Sequence, residues 1–214
     1  MIAFPFELEY YVNDMGKIPF KEWLEGLRDV SPRANIRVRL DRVRLGNLGK
    51  NRAVGEGVRE LKVDYAPAIG YILLKKAPIS SFFSLGVTSQ VRRRILKRQR
   101  NTGMTTKGGK DMPRISSYQK DLIESLKDPC EAAAYLNAAI EEGDRSVFLL
   151  ALRNVAEACG GMAALAEKAN LSRESLYRML SKKGNPEIKS LYTLLHAMGL
   201  RLAIEAEPHT CEAA

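Results

Sequence analysis

Between residues 68 and 110 the chain carries ten Lys or Arg side chains and neither Asp nor Glu. Like charges at this density repel one another and have no carboxylate within the segment to pair with, so the stretch is a poor candidate for a self-contained domain. Removing those ten from the chain's 34 basic residues leaves 24 basic against 25 acidic elsewhere, so the net charge of +9 belongs to this segment alone. Its hydrophobic pattern is irregular: an apolar patch from Ile79 to Leu85 is followed by VRRRILKRQR and a Gly/Thr-rich tail. The flanking sequence shows capped, periodic elements. The expected organisation is therefore a first unit over residues 1–67, a basic and unstructured junction over 68–111, a second unit over 112–207 and a tail over 208–214.

At 214 residues, 45% hydrophobic and 28% charged, the chain can bury two small cores or one large one, which excludes collagen-like, mucin-like and wholly disordered proteins. No apolar run reaches the roughly 18 residues needed to span a bilayer, and MIAFPFELEYYVN is too acidic and too short for a secretory signal. A cytoplasmic protein without membrane contact is expected. Cys130, Cys159 and Cys211 are scattered, with only His196 and His209 to help, so neither a disulfide framework, a metal site nor a cofactor is expected.

In the first unit, Phe6 to Val12 alternates as a strand, and Asn13 to Gly16 is turn chemistry. Pro19 opens a helix with Phe20, Trp23, Leu24 and Leu27 on one face. Ser31 is a good N-cap for a second helix, with Pro32 in its first turn and Ile36, Leu40 and Val43 inward. Arg33, Arg37, Arg39, Arg42 and Arg44 on this helix are expected to form a solvated face, or to touch ribosomal RNA. A strand follows in VRELKVDY, giving a partial α+β unit that lacks the rest of its sheet.

The second unit reads as mainly α. Asp128 caps a helix with Pro129 at its first position and Gly143 at its end; Asp144 caps the next, whose stripe of Phe148, Leu152, Val155 and Cys159 makes Cys159 a buried small hydrophobe. MAALAEKAN is then a short helix, Asn170 a residue tolerant of left-handed backbone, and Ser172 the cap of RESLYRMLSKKG. Leu171, Leu176 and Leu180 pack inward against Leu165, and Ala166 permits close crossing. This is a helix-turn-helix pattern. Its second helix presents Ser172, Arg173, Glu174, Ser175, Tyr177 and Arg178 outward, with Lys182 and Lys183 at its end. Arg takes guanine O6 and N7 bidentately, Ser and Lys meet phosphates, and Tyr177 packs equally well at a dimer seam. A helix pair of purely structural use fits the same spacing. Asn185-Pro186 starts another helix with Ile188, Leu191, Leu195 and Met198 inward, and LRLAIEAE alternates as a terminal strand that would pair with a second copy in a homodimer.

Two resemblances follow from these residues. The run YYVNDMGKIPFKEWLEGL with RVRLDRVRLGNLGKNRAVGEGVRELKVDYAP resembles the amino-terminal half of the HigB-type branch of RelE-like toxins. That resemblance implies a ribosome-dependent mRNA endonuclease ancestry. The family continues with G-P-G-Y-R, an apolar strand, G-G-D-K-S-S-Q and a Lys-rich helix, whereas this chain has Gly70 and Thr88 near the expected basic positions. Residues 128–205 resemble the HigA-type addiction-module antidotes, Xre-like helix-turn-helix proteins, particularly in AAAYLNAAIEEGD, GGMAALAE, LSRESLYRMLSKKGNP and LLHAMGLRL. That resemblance implies an antitoxin that binds its cognate RelE/HigB-like toxin and, as a homodimer, represses its own operator DNA. Toxin before antidote is the gene order of that family.

The missing toxin motif can be written out of frame. One permitted codon set for Leu85 to Arg92, read two nucleotides later, gives G-G-D-K-S-S-Q, and the same offset restores a strand and a final helix. A small insertion or deletion near the codons for Ala66 to Ala68 would thus have fused a damaged toxin gene to the antidote gene. Lys107 to Met112 can also encode GGAGG ahead of a start codon at Met112. On this reading the chain is a DNA-binding antidote behind a non-catalytic toxin fragment. The alternatives are an intact fusion with mRNA endonuclease activity, a plain helix-turn-helix repressor, or a junction that serves as a nucleic-acid-binding arm.

Overall fold

The computed structural model describes residues 4–10, 15–55, 58–63, 69–75, 82–87, 117–181 and 183–204. The amino-terminal part builds five strands, β1 (Glu7–Tyr10), β2 (Asn51–Gly55), β3 (Val58–Val63), β4 (Ile69–Lys75) and β5 (Phe82–Val87), with helices α1 (Pro19–Glu25) and α2 (Val30–Arg44) after the first. The strands form one sheet in the order β1-β5-β4-β3-β2, antiparallel except where β1 runs beside β5. That parallel pair requires a crossover, and helices α1 and α2 lie in the chain between its members.

The unstructured junction expected over residues 68–111 is corrected at two places. Residues 69–75 and 82–87 are strands, and they occupy the centre of the sheet, with β4 between β3 and β5. The physical reason is that IGYILLK and FFSLGV are rich in β-branched, aromatic and aliphatic residues and hold no acidic group, so their backbone can pair on both sides. The remainder of that segment, including Arg92 to Lys110 and Thr88, lies outside the described residues. β2 was also not expected; Arg39 anchors the loop that leads into it, donating to the carbonyls of Leu48 at 2.6 Å and Lys50 at 3.2 Å. Gly49 is needed there: its φ is 48°, and a Cβ would stand 2.5 Å from the Arg39 guanidinium.

The carboxy-terminal part is helical: α3 (Tyr118–Ser125), α4 (Pro129–Glu141), α5 (Arg145–Ala158), α6 (Gly161–Lys168), α7 (Arg173–Met179) and α8 (Ile188–Ala197). Local chemistry sets the starts. The Asp128 carboxylate accepts from the amides of Cys130 and Glu131, and that of Asp144 accepts from Ser146. Gly143, at φ 71°, ends the α4 turn. Helix α2 begins earlier than expected, because Asp29 rather than Ser31 is the cap and accepts the Ser31 amide at 3.1 Å. An ionised carboxylate is the stronger acceptor of the two.

A single apolar cluster runs through both parts, joining Leu8, Tyr10, Phe20 and Ile36 with Tyr118, Leu122, Tyr135 and Val155. Helix α2 is the junction. Its Ile36, Leu40 and Val43 are buried as the periodicity predicts, but Ala34 and Val38 on other sides are buried as well, and so are Arg37, Arg39, Asp41 and Arg44, at 8% exposure or less. The solvated arginine face is therefore corrected: Arg33, Arg37 and Arg42 meet Glu131 and Glu142 of α4 and its cap, Arg39 turns into the loop after its own helix, and Arg44 lies over the Phe4 ring. Buried guanidinium groups require partners, and these are acidic side chains and carbonyls described below.

The last helix stops at Gly199 as expected, at φ 77°, but departs from expectation at its start. It starts at Ile188 with Glu187 as N-cap, two residues after Asn185-Pro186, and Ile188 is 71% exposed rather than inward. Leu195 and Met198 are buried as expected, Leu191 packs half-buried against the core, and Leu194 is buried with them. No strand forms over residues 200–204, which have no neighbouring strand to pair with among the described residues; positions 205–207, the tail with His209 and Cys211, and Met112 lie outside them. Among the described residues no single helix is long and apolar enough to cross a membrane.

Candidate nucleic-acid interface

Helices α6 and α7 are joined by Ala169 to Ser172, and the turn is built from its sequence. Asn170 sits at φ 51°, the Leu171 amide donates to the carbonyl of Ala166, and the Ser172 hydroxyl accepts from the Ser175 amide at 3.1 Å. Leu165, Leu176 and Leu180 are fully buried and Ala166 nearly so, with Leu171 half-buried against the same core. Those contacts fix which side of α7 faces out. Ser172, Arg173, Glu174, Tyr177 and Arg178 are exposed, Tyr177 at 60%, and Ser175 is half-exposed. Lys183 is exposed beyond the helix, while Lys182 lies outside the described residues.

The turn yields a local prediction. A non-glycine residue held in left-handed backbone costs about 1–2 kcal/mol, less for Asn, whose side chain tolerates it. Asn170→Ala should lower the unfolding free energy of the full chain, measured by urea denaturation, by about 1 kcal/mol, whereas Asn170→Gly should not.

A second polar site lies where α2 meets α4 and α5. Glu131 receives Arg33 and Arg37, with Arg33 Nε 2.9 Å from Glu131 Oε1, and Glu142 receives Arg42. Between these pairs the Tyr135 hydroxyl donates to Asp41 Oδ2, Asp41 Oδ1 accepts from Arg44 Nη1 at 3.1 Å, and Asn154 Nδ2 donates to the Tyr135 oxygen at 2.7 Å. Gln119 closes the chain by donating to Asn154 Oδ1 at 3.0 Å. Burial pushes the Asp41 carboxyl up from its usual range, opposed by the nearby Arg44 charge and the Tyr135 hydrogen bond. Burial also pushes the Tyr135 and Tyr118 hydroxyls up, so both stay protonated, and Tyr135 donates to Asp41.

On the flank of this network Tyr10 and Tyr118 meet edge-to-face at 5.8 Å, and Lys21 pairs with Asp121 at 2.8 Å. Ser117 bridges Glu9 on the outer edge of β1. A cavity of about 290 Å³ opens between the two parts, lined by residues that include Lys21, Arg37, Tyr118 and Glu131.

Nothing in the sequence reading placed Glu131, Tyr135, Glu142 and Asn154 at a site. The available signal was Asp41, the one acidic residue inside an arginine-rich helix and adjacent to the inward Leu40, because an acid carried into the core there needs a buried donor. Cys159 is half-buried and its thiol is pushed up by burial, which agrees with its place on the apolar stripe, while Cys130 is exposed.

Comparison with known proteins bears on the carboxy-terminal part. Residues 116–206 match the family model described as "Probable addiction module antidote protein". An uncharacterized protein of Haemophilus influenzae is 33% identical over 85 residues, which make up 40% of this chain and 87% of that protein. No solved structure matches the chain.

Proposed function

Through residues 116–206 the chain belongs to the family of probable addiction module antidote proteins, and from that membership we propose that it is the DNA-binding antitoxin of a type II toxin-antitoxin module, repressing its own operon and neutralising a RelE/HigB-like toxin. The observation that carries the DNA reading is the orientation of α7. Leu176 and Leu180 hold it inward, while Arg173, Arg178 and Lys183 stand in solvent with Glu174 and Tyr177. A helix packed this way can enter a major groove with its arginines at base edges and the lysine at phosphate. Lys182 is assigned to phosphate by its sequence position. A homodimer would place two such helices at successive turns of duplex, and the exposed Ile188, Tyr192, Leu202 and Ile204 offer an apolar surface for the second copy.

Footprinting the full chain on the DNA upstream of its own gene tests this. Protection of a symmetric site, with affinity falling steeply between about 50 and 200 mM salt, is expected; equal affinity for unrelated duplex would reject it.

In this reading the amino-terminal part is a non-catalytic RelE/HigB-like fragment, lacking the basic side chains for which Gly70 and Thr88 stand, and the shifted frame is tested by sequencing the locus. One observation favours the alternative of an intact fused endonuclease: β4 and β5 complete the sheet centre. Inducing the full chain with Glu131→Arg, which opposes Arg33 and Arg37, separates the two. Unchanged growth fits the fragment; arrest with mRNA cleavage fits the enzyme.

A further inference from the structure

We infer that the face of α3, α4 and α5 bearing Glu131, Tyr135, Glu142 and Asn154 is the surface by which an antidote of this kind grips its toxin, and that it takes a helix of the pattern Arg-x3-Arg-x3-Asp-Arg, which α2 presents here at Arg33, Arg37, Asp41 and Arg42. This rests on the antidote reading above and names the chemistry of its partner.

Three observations carry the assignment. The contacts keep the same order along both helices: Glu131 with Arg37, Tyr135 with Asp41, and Glu142 with Arg42. Helices α2 and α4 therefore run side by side in the same direction, an arrangement that specifies one register of a basic helix on an acidic one. The centre is selective as well. Tyr135 is fully buried and its oxygen already accepts from Asn154, so the proton of a hydroxyl so buried needs the carboxylate that Asp41 brings. An apolar helix could not replace it. Finally, the family match begins at residue 116, and the Haemophilus influenzae relative, 87% covered by 85 residues, is less than half as long as this chain. A protein of that length has room for α3 to α8 but not for the sheet and α2 as well, so on the antidote reading an occupant of the corresponding face there would have to come from another chain. Here α2 fills it in cis.

The test uses the full chain with a protease cleavage site inserted between Gly108 and Gly109, cut after folding, with association of the two pieces measured by sedimentation. The unsubstituted pieces should stay together at micromolar concentration. Glu131→Arg should weaken association at least tenfold, and adding Arg37→Glu should recover most of that loss. The independent pair Glu142→Arg with Arg42→Glu should repeat the pattern, so the inference stays open to refutation if Glu131→Arg alone misfolds. Pieces that part while each keeps its circular dichroism, or paired substitutions no better than the single ones, would overturn it. Operator binding by the same preparations is read in parallel. Associated pieces that ignore the operator reject only the DNA reading; parted pieces that still bind it reject only the grip.

Discussion

Tyr135→Ala should cost the full chain about 3–5 kcal/mol of unfolding free energy, measured by urea denaturation. The ring is fully buried at the meeting of α2, α4 and α5, so its loss leaves a cavity that neighbouring helices can fill only in part. The hydroxyl goes with it, and that adds a separate penalty. Asp41, itself fully buried, keeps only Arg44, and Asn154 Nδ2 loses its acceptor. Tyr135→Phe isolates the second effect: the ring stays, and the loss should fall to about 1–3 kcal/mol. A typical domain has about 5–15 kcal/mol in total, so the alanine variant should be partly unfolded near physiological temperature. If it unfolded in two steps, with the carboxy-terminal helices intact after the first, the shared core would be less cooperative than the packing requires.

How much of this was legible in the sequence depends on how local the cause was. The caps at Asp128, Asp144 and Ser172 and the left-handed turn at Asn170 are set by chemistry within three residues, and each stands where the residue types placed it. The inward leucines of α6 and α7 follow from helical spacing alone. What escaped is non-local. The arginines of α2 look like a solvated stripe until Glu131 and Glu142, about a hundred positions away, are placed beside them. Strands β4 and β5 sit inside an acid-free, basic stretch whose overall composition argued against structure, yet their own short runs are apolar and pair with β3 and β1. Composition averaged over 43 residues hid two strands of seven and six. Ile188 shows the converse error, a periodic apolar residue in the first turn of a helix that has nothing packed over it.

The second large effect concerns α7. Arg173→Ala and Arg178→Ala should each weaken operator binding by about 1–3 kcal/mol, roughly 5- to 150-fold, if the guanidinium reads a base edge. Both side chains are exposed, so stability should change by no more than about 0.5 kcal/mol. Comparison with a scrambled duplex separates the roles. A base-reading arginine loses affinity for the operator far more than for the scramble, whereas Lys183→Ala, removing a phosphate contact, should lower both alike and flatten the salt dependence by about one counterion.

Two surfaces on one helical body, α7 for duplex and the α4–α5 face for a basic helix, are the core of this account. Amide exchange of the full chain with and without the upstream duplex tests it most directly. Residues 161–181 and 183–184 should exchange more slowly when the duplex is added, while the amides of α2 and α4 stay as slow as before. Protection falling instead on the amino-terminal sheet, or α2 exchanging freely while α4 and α5 remain protected, would contradict it.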